Sequence, residues 1–323
     1  MNMRELARLT GVSVSTVSKA FNHAPDISDA TKQYILETAK QHGCFEKYTK
    51  NKYSKKVIAI ICPELRSYHY ADSVDRLQKL IERDNGIVLI STDDFDGKKQ
   101  LQLIDYYATF LQVDGIFVYR YDNHPLKEYD TPIISLSSCD SNTINTVYCS
   151  LEEPILQAIT HLHKLKHSRI GFLGERLTHG KQQEYLNAMK SLQLEVPENY
   201  IITSDFRFEK AGEDGMEQLL RLPTPPTAVL CAYDNIACGA ISYLTRNGYN
   251  VPTDFSVIGM DNTSSGQHMS PALSTIDSGY DEINLIAWDL MKKKLNDKHY
   301  HLHQKIIISG RFILRETTDI AKE

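Results

Sequence analysis

The side chains best suited to chemistry lie between residues 13 and 22, where hydroxyl groups alternate with small apolar residues. If this segment is a helix, Val17, Ala20 and Phe21 share one face at i, i+3 and i+4 spacing and are buried. The opposite face could then read base edges in a DNA major groove. There a hydroxyl bonds several edges, a lysine reaches guanine and a valine meets the thymine methyl. The side chains left facing outward are Val14, Ser15, Ser18 and Lys19.

A reading helix must be held by a second helix and a tight turn, and the preceding residues supply both. Leu6, Ala7 and Leu9 give a first helix one apolar face. Gly11 can adopt the positive φ that ends a helix in a tight turn, and Ser13 is a good N-cap for the next helix. The spacing therefore predicts a helix-turn-helix.

A third helix is predicted between Ser28, which can cap its start, and Gly43, which ends it. Its buried stripe consists of Ile35, Leu36 and Ala39. A small helical bundle with solvated polar faces is the alternative for any one of these helices. Three helices with this turn between the first two favour a DNA-binding domain instead.

The sequence from Ala7 to Asn22 resembles the opening of the LacI/GalR family of bacterial transcription regulators, A-x-x-x-G-V-S-x-x-T-V-S-R/K-x-x-N. The family element V/I-S-x-x-T-R/K that follows is present at residues 27–32. The resemblance implies that Val14, Ser15 and Lys19 hold base-reading positions. The residues that it implies for phosphate contacts or for fixing the turn are Ser13, Thr16, Ser18 and Asn22.

Charge is distributed unevenly along the chain. Residues 1–56 carry ten Lys and Arg against five Asp and Glu, a net +5, whereas the remaining residues carry a net −10. A basic N-terminal part joined to an acidic remainder suits a protein that meets a polyanion at one end. We expect the lysines beyond the third helix to add salt-dependent affinity for phosphates, or to form a solvated linker. They are Lys47, Lys50, Lys52, Lys55 and Lys56.

Residues 43–53 stand where the family has the linker G-Y-x-P-N-x-x-A-R-x-L, which forms a hinge helix on DNA and inserts its leucine into the minor groove. The chain lacks the proline and the Ala-Arg pair. In ungapped register Tyr53 occupies the leucine position, where its ring could insert between two base pairs.

We divide the chain into a helix-turn-helix domain (1–44), a hinge or linker (45–56) and an effector-binding and dimerisation domain (57–318).

The residues after 56 alternate between apolar runs of strand length and amphipathic segments of helix length. Such alternation is typical of parallel sheets covered on both faces. Two successive sets predict an α/β fold with two doubly wound parallel-sheet subdomains and a cleft between them. The predicted strands are 57–62, 86–90, 115–119, 132–136, 169–173, 200–202, 228–231, 255–259 and 305–309, with a crossover at 140–160. The predicted helices are 72–84, 98–112, 152–164, 182–192, 209–221, 235–247 and 280–295.

This part of the chain resembles the family's effector domain, which is related to periplasmic sugar-binding proteins. The matching motifs lie at residues 166–174, 234–239, 254–262 and 271–276.

The resemblance to the effector domain implies a set of ligand-binding residues. It implies that Asp234 accepts hydrogen bonds from sugar hydroxyls, and a helix N-cap is the alternative for an aspartate at this place. Lys181 replaces the family's arginine and Tyr233 its asparagine, so the arginine's two-pronged contact is lost and ring stacking becomes available. Tyr70 stands near an aromatic position of the cleft, or packs as an ordinary residue at a helix start.

Several functions are disfavoured by what the sequence lacks. It has no G-x-G-x-x-G, Walker A, H-E-x-x-H or G-x-S-x-G motif, and we predict neither an enzyme nor a cofactor. It has no signal peptide and no apolar run of bilayer length, which favours a cytoplasmic protein without membrane contact. His299, His301 and His303 alternate as metal ligands on a strand could, but ordinary surface histidines explain the pattern and we predict no metal.

Taken together, the sequence predicts a homodimer that binds a pseudo-palindromic double-stranded DNA operator. Its DNA affinity would be set by a small-molecule effector, a saccharide, in the cleft. A solute- or sugar-binding protein without a regulatory role is the alternative. That alternative predicts a signal peptide and no helix-turn-helix.

Overall fold

The structure is a computed structural model that describes residues 1–21, 24, 26–45, 55–121, 128–139, 144–297 and 302–322. The chain forms two compact units. The first, here called the head, comprises Met1–Val57 and Asn85–Ile87, and the second, the body, comprises Ile58–Asp84 and Val88–Glu323.

The described residues of the head contain three helices, which are α1 (Met3–Thr10), α2 (Val14–Phe21) and α3 (Asp29–Gln41). The start of α1 is a capping box, in which Asn2 accepts a hydrogen bond from the Glu5 amide and Glu5 accepts one from the Asn2 amide. Gly11, with φ of +69°, ends α1 as predicted. The helices enclose a small core of Leu6, Ala7, Val17, Ala20, Phe21, Ile35, Ala39 and Cys44.

Strands and helices alternate along the rest of the chain. The elements as far as the first crossing between sheets are β1 (Val57–Cys62), α4 (Tyr68–Arg83), β2 (Ile87–Thr92), α5 (Gly97–Asp105), β3 (Gly115–Val118), β4 (Ile133–Ser135) and β5 (Asn145–Ser150). The next are α6 (Glu152–Lys164), β6 (Ile170–Glu175), α7 (His179–Ser191), β7 (Ile201–Ser204), α8 (Glu209–Leu220), β8 (Ala228–Cys231), α9 (Asp234–Arg246), β9 (Ser256–Met260), α10 (Ser264–Gln267) and β10 (Ser274–Asp277). The last are α11 (Tyr280–Asn296), β11 (Lys305–Ser309) and β12 (Arg311–Ile313).

The described strands form two six-stranded sheets, in the orders β2-β1-β3-β4-β5-β11 and β7-β6-β8-β9-β10-β12. Neighbouring strands such as β1 and β3, or β6 and β8, run parallel, whereas β12 runs antiparallel to β10. The prediction of two doubly wound parallel sheets is confirmed. Strand order reverses at β1 in the first sheet and at β6 in the second. Ligands of such sheets bind beyond the carboxyl ends of the strands at this reversal.

Three of the described strands were missed by the sequence prediction. The region 140–160 was predicted as a crossover but contains β5, and β10 and β12 were not predicted at all. β5 and β10 read Asn-Thr-Val-Tyr-Cys-Ser and Ser-Thr-Ile-Asp, so their polar side chains hide them from a search for apolar runs. Distant partners satisfy some of these buried groups, since the Thr275 hydroxyl donates to Asp234 and the Asn145 side chain accepts from the Gln304 amide.

The chain passes between the two sheets three times, through very short connections. Leu151 joins β5 to α6, Ser278 and Gly279 join β10 to α11, and Gly310 joins β11 to β12. A Cβ at Gly310 would lie 2.8 Å from the Asp277 carbonyl oxygen and 3.1 Å from the Cys149 Sγ. The three connections therefore pack directly against one another, with room for no side chain at Gly310.

Within the described part of the chain, no helix is both long and apolar enough to cross a lipid bilayer. The same residues hold no group of three His, Cys, Asp or Glu side chains arranged for a metal ion. His299 and His301 lie outside the described residues.

Candidate DNA-binding surface and ligand cavity

The start of α2 is fixed by a local hydrogen-bond pair. The Thr16 amide donates to the Ser13 hydroxyl at 3.0 Å, and the two hydroxyls lie 2.8 Å apart. The Ser13 hydroxyl thus satisfies an amide in the first turn of α2, which is the N-cap role predicted for Ser13.

The exposed face of α2 carries the side chains expected to read bases. Val14 is exposed despite being apolar, Ser15 and Lys19 are also exposed, and Ser18 is half-buried. The Lys19 Nζ lies 2.5 Å from the Asp26 Oδ2, and this hydrogen bond holds the pKa of the Asp26 carboxyl below its usual value. Asn22 and Tyr53 lie outside the described residues.

A cavity of about 220 Å³ lies in the body at the carboxyl ends of the strands where both sheets reverse order. Residues that follow β1 and β2 form one wall, among them Ser67, His69, Tyr70 and Phe95. Residues that follow β6 to β9 form the other, among them Glu175, Lys181, Arg207, Tyr233 and Asp261. The location is the one that strand topology favours for a ligand.

Arg207 is the centre of the larger charge cluster at this cavity. Its Nε donates to both carboxylate oxygens of Glu175, at 3.0 and 3.1 Å. Its two terminal nitrogens donate to the two oxygens of Glu64, at 2.9 and 2.8 Å. Glu64 follows β1 and Arg207, a lining residue, follows β7, so this two-pronged pair joins segments that follow strands of the two sheets.

Tyr233 extends the same network. Its hydroxyl donates to the Glu175 Oε1 at 2.8 Å and accepts from the Phe208 amide at 3.1 Å. Burial raises the pKa of Tyr233 above its usual value, so the hydroxyl stays protonated. Because the hydroxyl is engaged in these bonds, Tyr233, which is half-buried, presents its ring to the cavity.

Asp261 is the centre of a second charge cluster. Lys181 donates to its Oδ1 at 3.2 Å and to the Ala232 carbonyl at 2.7 Å, and the His69 Nδ1 lies 3.7 Å from the same Oδ1. Burial acts to raise the pKa of the Asp261 carboxyl, but Lys181 and His69 outweigh it and bring the value to about 2. Asp261 is therefore an ionised acceptor, 7% exposed, at the cavity wall.

Aromatic rings line the wall that follows β1. Tyr70 meets the rings of His69 and Phe95 edge to face, with centroids 4.6 and 6.2 Å apart. Burial raises the pKa of Tyr70. The rings offer apolar surface beside the carboxylates, a combination suited to a ligand with hydroxyl groups and an apolar face.

Asp234 lies behind the cavity rather than in its wall. Its side chain is almost completely buried. Its Oδ2 accepts from the Thr263 amide at 2.6 Å and from the Thr263 hydroxyl at 3.0 Å, and its Oδ1 accepts from the Thr275 hydroxyl at 2.6 Å. Burial is the main cause that raises the pKa of Asp234, to about 7. Asp234 is the first residue of α9, but its side chain makes no capping bond there.

The structure thus brings Tyr70, Lys181 and Tyr233 to one cavity and leaves Asp234 outside its wall. Sequence reasoning missed the residues that complete the charge clusters, which are Glu64, Glu175, Arg207 and Asp261. Glu175 is the last residue of a strand and the other three follow a strand, and this position at a carboxyl end was the signal that could have identified them.

Three residues of the cavity wall also have an unusual backbone conformation. Three cavity residues, Phe95, Phe208 and Asp261, have positive φ values of 63°, 58° and 98°, which are uncommon for residues other than glycine. Such conformations concentrate at functional sites, where the surrounding structure holds them.

Two family models match the chain. The model of bacterial regulatory proteins of the lacI family matches residues 2–45, and the model of the periplasmic binding protein-like domain matches residues 159–318. Curated relatives match along almost the whole length. The probable HTH-type transcriptional repressor ExuR of Bacillus subtilis is 26% identical over 98% of both chains. The HTH-type transcriptional repressor CytR of Escherichia coli K12 is 28% identical over 92% of this chain and 90% of its own.

Solved structures show the same fold. A complex of the transcriptional regulator CelR with cellobiose has a TM-score of 0.69 at 20% identity, over 98% of this chain and 99% of that one. A LacI family transcriptional regulator from Enterococcus faecium with bound ribose has a TM-score of 0.70 at 21% identity, over 83% of this chain and 100% of that one.

A helix-turn-helix head and a periplasmic-binding-protein-like body define a class of bacterial transcription regulators. The chain belongs to the lacI family of these proteins. It is a DNA-binding transcription regulator, as its sequence predicted.

Proposed function

We propose that this regulator is a repressor that binds a pseudo-palindromic operator as a homodimer and responds to a saccharide in the cavity of its body. The observation that carries the proposal is the cavity itself, where the side chains of Asp261 and Glu175 lie beside the Tyr70 and Tyr233 rings. The names of the relatives, which are repressors, and the sugars bound to two regulators of like fold support it.

The division of labour follows the predicted domain limits. Residues 1–44 would dock on DNA, residues 45–56 would link, and residues 57–318 would bind the effector and form the dimer. Val14, Ser15 and Lys19 would contact base edges in the major groove. Ser13, Thr16, Ser18 and Asn22 would hold the turn and the phosphates, and Tyr53 would reach the minor groove.

Ligand and DNA affinities would be coupled through the body. A ligand between the walls touches residues that follow strands of both sheets and therefore stabilises one relative setting of the two sheets. If that setting also changes the DNA affinity of the dimer, the two binding free energies are linked reciprocally.

Replacement of Lys19 by alanine should lower operator affinity by about 1–3 kcal/mol and relax the preference at one base pair, because a base-edge contact is lost. Gel-shift titrations against single-base operator variants at two salt concentrations measure both effects. The control is Lys79→Ala, which removes an exposed lysine of α4 and should change nothing. An equal loss across all sequences would instead make Lys19 a phosphate contact.

Replacement of Asp261 by asparagine should weaken saccharide binding by about 1.5–3 kcal/mol, since a charged hydrogen-bond acceptor is lost. A thermal-shift screen of sugars, nucleosides and sugar phosphates first identifies the ligand from the rise in the unfolding midpoint. Titration of wild type, Asp261→Asn and the exposed control Asp75→Asn then gives the affinities. An unchanged affinity in Asp261→Asn would remove the cavity assignment.

A further inference from the structure

Arg207 has little charge left to offer a ligand. Guanidinium groups are the preferred protein partners of carboxylates and phosphates because their planar fork binds two oxygens at once. In this protein the fork is already occupied, with both terminal nitrogens on Glu64 and Nε on Glu175. The Glu64 and Glu175 side chains are only 12% and 3% exposed.

The occupied fork is also held in place by aromatic rings. The guanidinium carbon lies 4.6 Å from the centroid of Phe208 and 5.7 Å from that of Phe95. These rings belong to opposite walls of the cavity. Glu64 does not line the cavity itself, but it follows β1 and pairs with Arg207, which does. The guanidinium group of Arg207 is therefore fixed in position and already paired, and it is not available to bind an anionic ligand.

We propose that Glu64 is a specificity-determining residue that makes the cavity reject anionic ligands and select uncharged, hydroxyl-rich ones. This inference rests on the proposed function, in which the cavity binds the effector. The anionic class comprises uronates and sugar phosphates, and the selected class comprises neutral sugars and polyols of monosaccharide size. A volume of about 220 Å³ lies below the roughly 300–1,000 Å³ that drug-sized ligands fill.

The balance of charge explains the selection. Three carboxylates, Glu64, Glu175 and Asp261, face two cations, Arg207 and Lys181, within the two clusters. A ligand carboxylate enters a region with an excess of negative charge. To reach the Arg207 fork it must displace Glu64, which would leave a poorly solvated carboxylate without its partner. Neutral hydroxyl groups, in contrast, donate to the carboxylates without displacing any ion pair.

The test compares Glu64→Gln with wild type in titrations of glucose, glucuronate and inorganic phosphate, followed by calorimetry and by the unfolding midpoint. The variant keeps the shape of the side chain but frees the charge of Arg207. We expect wild type to show no glucuronate or phosphate binding at millimolar concentration. Glu64→Gln should gain binding of both anions by at least tenfold. The control Glu82→Gln, which removes one exposed carboxylate of α4, should show no gain.

A second pair of variants separates specificity from folding. Glu64→Ala should show the same gain of anion binding, and the double variant Glu64→Gln/Arg207→Gln should lose it. Glucuronate binding to wild type, no gain in either Glu64 variant, or a gain that survives loss of Arg207 would each overturn the inference. The proposed function fails on a different result, which is that no saccharide of either charge class binds wild type. The gain of anion binding is judged independently of that result.

Discussion

Replacement of Phe21 by alanine abolishes specific DNA binding and leaves the body folded. Phe21 is 2% exposed and belongs to the small core of the head, together with Leu6 and Ile35. Loss of a buried phenylalanine costs about 3–5 kcal/mol. A domain of this size has a stability of only a few kcal/mol, because it buries a small fraction of its surface. The head of the variant should therefore be unfolded at 25 °C.

Gel shift, together with hydrogen exchange, measures this outcome in the full chain. Amides of α1 to α3 should lose their protection, whereas those of β1, β6 and β8 should keep it. The control is Phe110→Ala, which removes a ring that is 74% exposed in the body and should change neither result. Retention of sequence-specific binding by Phe21→Ala would show that the head does not depend on this core for its recognition of DNA.

Replacement of Asp234 by asparagine should stabilise the body relative to wild type, and this difference in the free energy of unfolding should increase as the pH rises. The carboxyl has a usual pKa of 3.8, and its folded-state pKa is raised to about 7, chiefly by burial. A raised pKa means that the group's contribution to stability is present below its unfolded pKa and is lost as pH rises through the folded pKa. Because each pKa unit is worth about 1.4 kcal/mol, the advantage of the neutral amide should grow by about 3 kcal/mol between pH 5 and pH 8.

The alanine variant provides the contrast at this position. Asp234→Ala removes the acceptor of the Thr263 amide and of the Thr275 hydroxyl and should destabilise the body across the same pH range, by about 1–3 kcal/mol for each buried donor left unpaired. Denaturant titrations of wild type and both variants at pH 5, 6.5 and 8 give the free energies of unfolding. All other titrating groups are the same in wild type and in the asparagine variant, so their effect on the free energy of unfolding cancels in the difference between the two. A difference from wild type that does not depend on pH would contradict the raised pKa.

The head could be predicted almost entirely from its sequence, because its determinants are local. Gly11 and Ser13 act within a few residues of themselves, one by its positive φ and the other by capping α2. The apolar runs of the body predicted its parallel strands for a similar reason, since strands buried on both faces need few polar residues. The strands β5 and β10 escaped because the partners of their polar side chains are distant in sequence.

The cavity could be predicted only in part, since its contacts join distant segments. Lys181 and Tyr233 were identified by family motifs, and both line the cavity. The pairing of Glu64 with Arg207 spans 143 positions, and no local pattern indicates it. Asp234 also shows that contacts between distant segments limit what the sequence can predict. Its position after β8 was read correctly, but the direction of its side chain is set by Thr263 and Thr275 in later segments. Its assignment as a sugar ligand stays a prediction.

The contacts of Lys181 explain how a lysine can stand in the place of the family's arginine. The ammonium group donates to Asp261 and to the Ala232 carbonyl, and lies 5.9 Å from the Tyr233 ring centroid. A compact charge can serve these partners from one point, without the planar fork of an arginine. The forked contact of this cavity is made by Arg207 instead.

The three connections between the sheets, at Leu151, Gly279 and Gly310, constrain how the body can be truncated and how its two sheets can move. Neither sheet of the body is formed by one continuous stretch of sequence, so no single truncation yields one complete sheet without strands of the other. The three connections are one or two residues long, and Gly310 packs closely against Asp277 and Cys149. We therefore expect one sheet to move against the other by rotation about these connections rather than by translation.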